Sequence, residues 1–572
     1  MQGKTGRDAN SSLFHFPREG VFMEKDMFCR QCEQAARGVG CDVLGVCGKD
    51  PKVSALLDLM IHGLQGVAVY AHQARQLGAK DAEVDQFMLS GLFTRVTNVN
   101  FDPQDISKRL QRCYQIKEKA RALFEQAYKE RKGEPAPESD AGPEAWKPAQ
   151  DMEGLITQGR QYGVLTWHQN PDILSTIEIL IYGLMGMGAF AWHATELGKE
   201  DENIYEFIHR ALAATADRTK TLQDFVQLSL ECGEKNIRTM ELLYEGHAER
   251  FSAPKPMTVH MGTKKGKGIV VSGHDLPMLE DILKQSEGKG INVYTHGEML
   301  PANGYPGLRK YEHFAGNFGT AWQNQTIELP DFSGAIIFNT NCIQRPSASY
   351  TDRLFTWGEV AWPGIRHLEG NDYTPLIEKA LELPDVEEMK GPEIMTGFGH
   401  EAILGVADTV VNAVKTGAIR HFFLIGGCDG AKPGRNYFTD LARSVPDDCV
   451  ILTLACGKNR FNRFDFGDIG GVPRLLDVGQ CNDAYSAVRA ALALADVFKC
   501  DVNELPLSFM LSWYEQKAHV ILLSLLHLGI KNIKLGPSLP AYVSPGVLDF
   551  LVDQYNLGPV TTPEQDLREA LG

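Results

Sequence analysis

The sequence predicts a multidomain protein of the α plus α/β class, with duplicated helical bundles followed by two Rossmann-like α/β domains. Three observations predict it. The chain has 572 residues, and a single hydrophobic core stops growing at about 250–300. The first half holds an ungapped repeat with apolar residues at helical spacing. From about Phe251 the pattern changes to short β-prone apolar runs separated by helical stretches, the signature of βαβ units. Domains are expected at 27–250, 251–390 and 391–572, after a leader at 1–26.

Composition narrows the class. With 43% hydrophobic and 23% charged residues, the chain is ordinary globular protein rather than fibrous or disordered. A formal charge of -16 supplies no basic field for phosphates, which argues against nucleic acid and anionic membranes as partners. Twelve cysteines in a long chain without a secretion signal point to thiolate metal ligation in a reducing cytosol rather than to disulfides. The apolar run VILLSLLHLGI is far short of a membrane span, so a soluble cytoplasmic protein is expected.

Residues 1–26 are polar and weakly periodic, which reads as a disordered leader or an upstream start, with Met27 as the functional beginning. Next, FCRQCEQAARGVGCDVLGVCG holds Cys29, Cys32, Cys41 and Cys47 with two, eight and five residues between them. Glycines between the cysteines let backbone approach a cluster, as a cubane held by four thiolates requires. Zinc is the competing occupant, but no second CxxC pair is present.

The repeat aligns IHGLQGVAVYAHQARQLGAKD, from Ile61, with IYGLMGMGAFAWHATELGKED, from Ile181. Gly63 falls on Gly183, Gly66 on Gly186, and the Leu-Gly pairs at Gly78 and Gly198 read as helix C-caps. Between the copies, KERKGEPAPESDAGPEAWKPAQ reads as a solvated linker. His72 and His193 are out of register with each other and are expected at bundle surfaces or edges. Cys113 and Cys232 lie in charge-rich helical segments and are expected to be structural.

In the α/β half one grammar recurs. GIVVSGH ends in His274, INVYTHGE in Glu298, AIIFNTNC in Cys342, HFFLIGGC in Cys428, CVILTLAC in Cys456 and RLLDVGQC in Cys481. Each is an apolar β-prone run delivering a metal-ligating residue where the chain turns, and ligands of open parallel sheets collect outside the carboxyl ends of the strands. One such cysteine is an ordinary small core residue. Four, with a His and a Glu at equivalent places, are not accounted for by packing and point to a metal site. Cys449 opens the strand that ends at Cys456, about 20 Å away, and is a poor ligand candidate. Cys500 also lacks the pattern. LPDVEEMKGPEIMTG, from Leu383 to Gly397, reads as the boundary between the two α/β domains. Glu515 and Lys517 precede an apolar helix and, taken alone, read as exposed helix-start charges.

MFCRQCEQ, the cysteine spacing and HGEMLPANGYPGLRKYEHFAGNFGTAWQNQ together resemble the hybrid cluster protein family, also called prismane or hydroxylamine reductase, from Met27 to the C-terminus. The resemblance implies a two-bundle helical domain and two α/β domains, in a superfamily that includes nickel-iron carbon monoxide dehydrogenase. It implies that Cys29, Cys32, Cys41 and Cys47 hold a 4Fe-4S cubane. It implies a hybrid iron-sulfur-oxygen cluster, of the 4Fe-2O-2S type, on His274, Glu298, Cys342, Cys428, Cys456, Cys481 and Glu515, with an extra sulfur on Cys428. Glu515 enters by the resemblance alone. Thiolates suit iron-sulfur chemistry while carboxylate and imidazole suit harder, oxygen-bridged iron, so a cluster with both halves needs both ligand types. Lys517, two residues from Glu515, is placed to donate a proton or bias that carboxylate.

The expected activity is two-electron reduction of hydroxylamine to ammonia and water, with Glu298, Glu515, Lys517 and Cys428 as catalytic residues. Nitric oxide reduction to nitrous oxide is the alternative, and a nitric oxide sensor or protein nitrosylase in nitrosative stress is the reading from another class. Carbon monoxide dehydrogenase activity is disfavoured by the oxygen donors Glu298 and Glu515. No GxGxxG follows a strand, so electrons are expected from a ferredoxin-like or NADH-linked flavin reductase delivering to a monomer.

Overall fold

Helix starts in the N-terminal half follow the capping residues of the sequence. The computed structural model describes residues 27–139, 141–430 and 436–572, so the expected leader lies outside the described residues. Among the described residues, eight α-helices precede the first strand: α1 (Pro51–Gln76), α2 (Ala82–Thr94), α3 (Pro103–Lys132), α4 (Gly142–Ala145), α5 (Met152–Gln161), α6 (Pro171–Thr195), α7 (Glu202–Ala214) and α8 (Leu222–Phe251). Asp50, Asp81 and Asp102 cap α1 to α3 with their side chains, and Asn170, Asp201 and Thr221 cap α6 to α8. The repeat therefore covers a whole three-helix unit, well beyond the 21 residues that align by eye.

The same packing recurs in both copies. A Cβ on Gly63 would stand 2.9 Å from Cys113 Sγ, and one on Gly183 3.0 Å from Cys232 Sγ. The two cysteines are thus equivalent buried residues that let α1 and α3, and α6 and α8, approach closely. The short helices are exchanged, since α2 packs chiefly on α6 and α7 on α1. His209 of α7 meets Asp85 of α2 at 2.8 Å between them.

A second glycine in each copy leaves a groove, and the two grooves are filled differently. Beside Gly66 lies the carbonyl of Pro143, and beside Gly186 the carbonyl of Gln516. Part of the expected linker is therefore core. Pro143 and Trp146 are buried, and the buried Lys117 donates to the carbonyls of Glu144 and Trp146 at 2.6 Å each. Averaged composition hid this, because two apolar residues suffice to fill a groove that Gly63 and Gly66 leave open. In the second copy the filler is the distant helix Gln516–His527, which packs on both α6 and α8.

The α/β half contains β1 (Met257–His260), β2 (Lys267–Ser272), β3 (Ile291–His296), β4 (Phe314–Asn317), β5 (Ala335–Phe338), β6 (Leu354–Trp357), β7 (Arg366–Leu368) and β8 (Glu393–Thr396). It continues with β9 (His421–Gly427), β10 (Cys449–Leu454), β11 (Asp468–Ile469), β12 (Val472–Pro473), β13 (Leu475–Gly479), β14 (Leu507–Ser512), β15 (Ile533–Gly536) and β16 (Gly558–Pro559). Two six-stranded sheets form, in the orders β4-β3-β2-β5-β6-β7 and β13-β10-β9-β14-β15-β16. All neighbours in both are parallel. Each sheet runs 3-2-1-4-5-6 in its own chain order, the doubly wound topology whose switch point lies between its first and fourth strands.

The stretch from Leu383 to Gly397, read as a domain boundary, joins the two sheets: β8 within it pairs antiparallel with β1, and Val386 and Met389 bridge to Gly266 and Thr263. One expectation changes: by average hydropathy, α1 and α6 are long and apolar enough to cross a membrane. Both are 94% buried inside the protein over that stretch, which is the environment that makes them apolar all round.

The paired grooves give a stability prediction. Gly66→Ala and Gly186→Ala should each lower the stability of the helical region by about 1–3 kcal/mol, because each new methyl meets backbone that cannot move aside alone. Denaturant midpoints of the helical circular dichroism signal would measure this. Unchanged midpoints would show that neither close approach exists.

Candidate metal centre

The carboxyl ends of the two sheets meet, and the expected donors are where they meet. His274 and Cys342 follow β2 and β5 at the switch point of the first sheet, and Glu298 follows β3. Cys428 and Glu515 follow β9 and β14 at the switch point of the second, with Cys456 after β10 and Cys481 after β13. Glu515 therefore obeys the strand-end pattern too. LSFMLS is a strand whose downstream helix dominated the sequence reading, and that strand was the available signal.

The turns into the donors are sharp. Gly427, at φ 109°, brings backbone so close to the Ser512 carbonyl that no Cβ fits, which places the β9 and β14 ends side by side. Cys342 itself has φ 82°, and Ala455, just before Cys456, has φ 64° and ψ -164°, a region that L residues rarely occupy. Strain at donor positions is a mark of function that the surrounding packing must hold in place.

All seven donors are buried. His274, Glu298 and Cys481 offer ligand atoms that lie within 4.8 Å of one another. Glu298 Oε2 stands 3.6 Å from His274 Nε2 and accepts from the Cys481 backbone N–H at 3.1 Å. Cys456 acts on the Glu298 carboxyl, and Cys342 and Cys428 act on the Cys456 thiol, so these groups lie within one another's field. Cys428 Sγ lies 4.0 Å from Glu515 Oε1. The arrangement joins the thiol set to both carboxyl groups and the imidazole.

Lys517 and Glu515 are not exposed helix-start charges. Glu515 caps the helix Gln516–His527, with Oε2 accepting from the Lys517 backbone N–H at 2.9 Å, and both side chains are buried. The Lys517 ammonium donates to Asn341 Oδ1 at 2.6 Å and reaches His274 Nε2 at 3.0 Å. His274 Nδ1 faces Thr340 Oγ1 at 2.7 Å. This network assigns the proton of His274 to Nδ1 and makes Nε2 the acceptor of the Lys517 ammonium, the tautomer in which Nε2 can bind metal.

The electrostatics agree with a site built for something positive. Burial, then the Lys517 charge, holds the His274 pKa well below its ordinary value, so the imidazole is neutral. Burial raises the pKa of Glu298 and Glu515 against the pull of the nearby lysines. The Cys456 hydrogen bond lowers the Cys428 thiol, but burial and the neighbouring Glu515 and thiols carry it up to about 12. Burial would lower Lys517, yet Cys481, Glu515, Cys342 and Cys428 together raise it. Glu298 Oε1 is buried without a hydrogen-bond partner. A buried polar atom left unpaired costs about 1–3 kcal/mol, so a donor set of this kind fits a metal cluster better than a closed hydrogen-bond network.

The four N-terminal cysteines form a second group. Cys29 and Cys41 exchange backbone hydrogen bonds of 2.9 and 2.8 Å, which folds the loop on itself. Burial first, then the charges of Cys47, Cys29 and Cys41, raise the Cys32 thiol well above its ordinary pKa, so the four lie within one another's field. Lys49 Nζ reaches Cys29 Sγ at 3.7 Å. Gln516 ties this loop to the first site, donating to the Gln31 carbonyl at 2.7 Å and accepting from the Thr97 N–H at 2.8 Å. Cys32 shares an apolar cluster with Cys342, Cys428 and Cys456, and Tyr514, stacked on Trp322 at 4.3 Å, completes it.

Other residues fall outside the expected pattern. His193 is not at a bundle edge: it is buried, meets Asp275 Oδ2 at 3.4 Å, and its ring centroid lies 6.4 Å from that of His274. Phe93 of α2 and the residues His274 and Asp275 that follow β2 cover it, which no helical period could indicate. Cys449 stands at the far end of β10 and bonds Asp448, away from the donors. An apolar cavity of about 100 Å³ is lined by Leu454, Leu476, Ala487, Leu522 and the site residues Cys428 and Cys481.

With this geometry in hand, comparison places the chain. It is 64% identical over 546 residues to a hydroxylamine reductase of Geobacter metallireducens, covering 96% of this chain and 100% of that protein. It is likewise 64% identical over 547 residues to a hydroxylamine reductase of Geobacter sulfurreducens, again covering 96% and 100%. Among solved structures, Carbon Monoxide Dehydrogenase IV from Carboxydothermus hydrogenoformans is similar in fold, with a TM-score of 0.55 at 17% identity over 96% of this chain and 92% of that one. Residues 27–568 match the model of one family, and the chain belongs to that Prismane/CO dehydrogenase family.

Proposed function

We propose that the protein is a hydroxylamine reductase that uses an iron-sulfur cofactor, converting hydroxylamine, two electrons and two protons to ammonia and water. The observation that carries the reading is the mixed donor set: four thiols, two carboxyls and one imidazole converge at one buried point. In this reading His274, Glu298, Cys342, Cys428, Cys456, Cys481 and Glu515 hold a hybrid iron-sulfur-oxygen cluster of the 4Fe-2O-2S type. Cys29, Cys32, Cys41 and Cys47 hold a 4Fe-4S cubane. When bound, the hybrid cluster supplies stored electrons and open iron positions for a small N–O substrate.

The protein's own groups do the rest. Lys517 keeps a proton at Nζ, 3.0 Å from the inward nitrogen of His274, while its backbone N–H holds the Glu515 carboxyl at 2.9 Å. Thr340 fixes the His274 ring from behind, and Gln480 fixes the β2 and β3 ends by donating to the carbonyls of His274 and Glu298 at 3.1 and 2.9 Å. Burial of every donor keeps water away and strengthens each electrostatic contact. The cubane loop is the entry for electrons: Cys29 and Cys47 are partly exposed, and Val43, Leu44 and Val46 beside them are 72%, 56% and 56% exposed, an apolar rim for a ferredoxin-like or flavin-containing donor. All twelve cysteines are free thiols, and in this reading the protein works in a reducing cytoplasm.

One observation favours a second reading, reduction of two nitric oxide molecules to nitrous oxide and water. The cavity that reaches Cys428 and Cys481 is almost wholly apolar, and an apolar diatomic partitions into such a space whereas hydroxylamine stays hydrated. Steady-state turnover of each substrate with a low-potential reduced donor separates the two. Hydroxylamine turnover without nitric oxide turnover supports the first, and turnover of neither removes both.

Glu298→Ala tests the donor set. It should fold and keep the N-terminal cubane signal in electron paramagnetic resonance, while the hybrid-cluster signals change and hydroxylamine turnover falls about 10 to 100-fold. Glu298→Asp should recover little, since its carboxylate is withdrawn by one methylene. Wild-type spectra and turnover in the alanine variant would make Glu298 an ordinary buried acid. Cys32→Ser should remove the cubane signal and slow electron entry while the hybrid-cluster signals remain, and loss of both signals would count against two separate ligand sets.

A further inference from the structure

Behind the thiols of Cys456 and Cys481 lies a charge that the reaction does not use directly. Lys458 sits in the short 3-10 turn Cys456–Arg460 and its side chain is completely buried. Its ammonium donates to Asp477 Oδ1 at 2.8 Å and to the Gly479 carbonyl at 2.9 Å. Asp477, in β13, is also buried, and its Oδ1 accepts from the Gly479 N–H at 3.2 Å. Asp477 Oδ2 has no partner. The Gly479 carbonyl accepts in addition from the Ala455 N–H at 3.1 Å. Lys458 thus joins the turn that presents Cys456 to the strand end that presents Cys481.

A brace of this kind does not need a charge. Replacing a buried ion pair by apolar side chains of similar volume is often neutral or stabilising. What an apolar brace cannot do is place a positive charge beside the donors, and the Lys458 charge acts on the carboxyls of both Glu298 and Asp483. Lys458 and Asp477 form a pair of opposite charges at 2.8 Å, so removing either one leaves the other uncompensated beside the donors. Lys517 is a second buried ammonium, which reaches His274 Nε2 at 3.0 Å and whose charge acts on Glu298 and Glu515. The donors lie in the field of two buried ammonium groups.

We propose that Lys458 is a positioning residue whose buried charge sets the reduction potential of the hybrid cluster, with Asp477 as the counter-charge that trims it. The inference rests on the reading that the seven donors hold that cluster. Each electron taken up adds negative charge at the centre, so a nearby cation favours the reduced state and a nearby anion the oxidised one. Low dielectric makes both effects large, and net charge is one of the means by which proteins move cluster potentials.

Opposite signs test it. Lys458→Met keeps the length of the side chain without the charge and should move the potential of the hybrid cluster to more negative values, in a redox titration followed by electron paramagnetic resonance. Asp477→Asn removes the counter-charge and should move it to more positive values. The potential of the cubane, held by another loop, should stay put in both. Hydroxylamine turnover of Lys458→Met should fall about tenfold or more. A purely structural brace would give shifts of the same sign, or lowered cluster content with no shift, and either outcome would overturn the proposal. If Lys458→Met fails to assemble the cluster, Asp477→Asn decides alone: a positive shift supports the proposal, and no shift or a negative one overturns it. Absence of hybrid-cluster signals from the wild-type protein would instead remove the ligand reading, and this inference with it.

Discussion

Desolvation of the donor set is the constraint on which the rest of the structure depends. Four thiols, two carboxyls, an imidazole and two lysines are taken out of water in one place. Leaving a charged group buried without a partner costs several kcal/mol, so the surroundings must supply partners, exclude water and still leave donor atoms free. The structure meets this with backbone donors at Glu298 and Glu515, a hydrogen bond behind His274, and two buried ammonium groups. The atom left over, Glu298 Oε1, points to what is missing from a purely protein network.

Doubly wound sheets suit this task because their strand ends converge. In one such sheet, the crevice at the switch point takes a dinucleotide, with glycines approaching phosphate. Here two sheets present their switch points to each other, and the positions that would approach phosphate carry Cys, His and Glu. Strands buried on both faces hold each donor at a defined height, and turns as sharp as Gly427 and Ala455 fix its direction. The same topology therefore serves a different ligand by exchanging the residues at the strand ends, without any change in the order of strands.

The helical half contributes more than a lid. Its two copies each leave a groove beside a glycine, and the second groove grips the helix whose N-cap is Glu515. Gln516 then bridges to the cysteine loop near the N-terminus, so the two donor groups share one rigid support. Divergence after duplication explains the asymmetry. One groove is closed locally by Pro143 and Trp146, and the other was free to receive an element from the far end of the chain.

The sequence by itself determined the class of fold, the duplication, the cysteine loop and six of the seven clustered donors, because each rests on local information: a period, a cap, or a strand that ends in a metal-ligating residue. Tertiary structure decided the remainder. Glu515 and Lys517 look like surface charges until α6 and α8 enclose their helix, and His193 looks like an edge residue until His274 and Asp275 come to lie against it. Trp146 reads as linker until the groove beside Gly63 and Gly66 receives it. Nothing within a few residues of Lys458 marks it as buried, since its partners Asp477 and Gly479 arrive from the neighbouring strand. In each case the deciding contact joins residues far apart in the chain, and burial, unlike periodicity, is a property of what packs against a residue rather than of the residue's own neighbours.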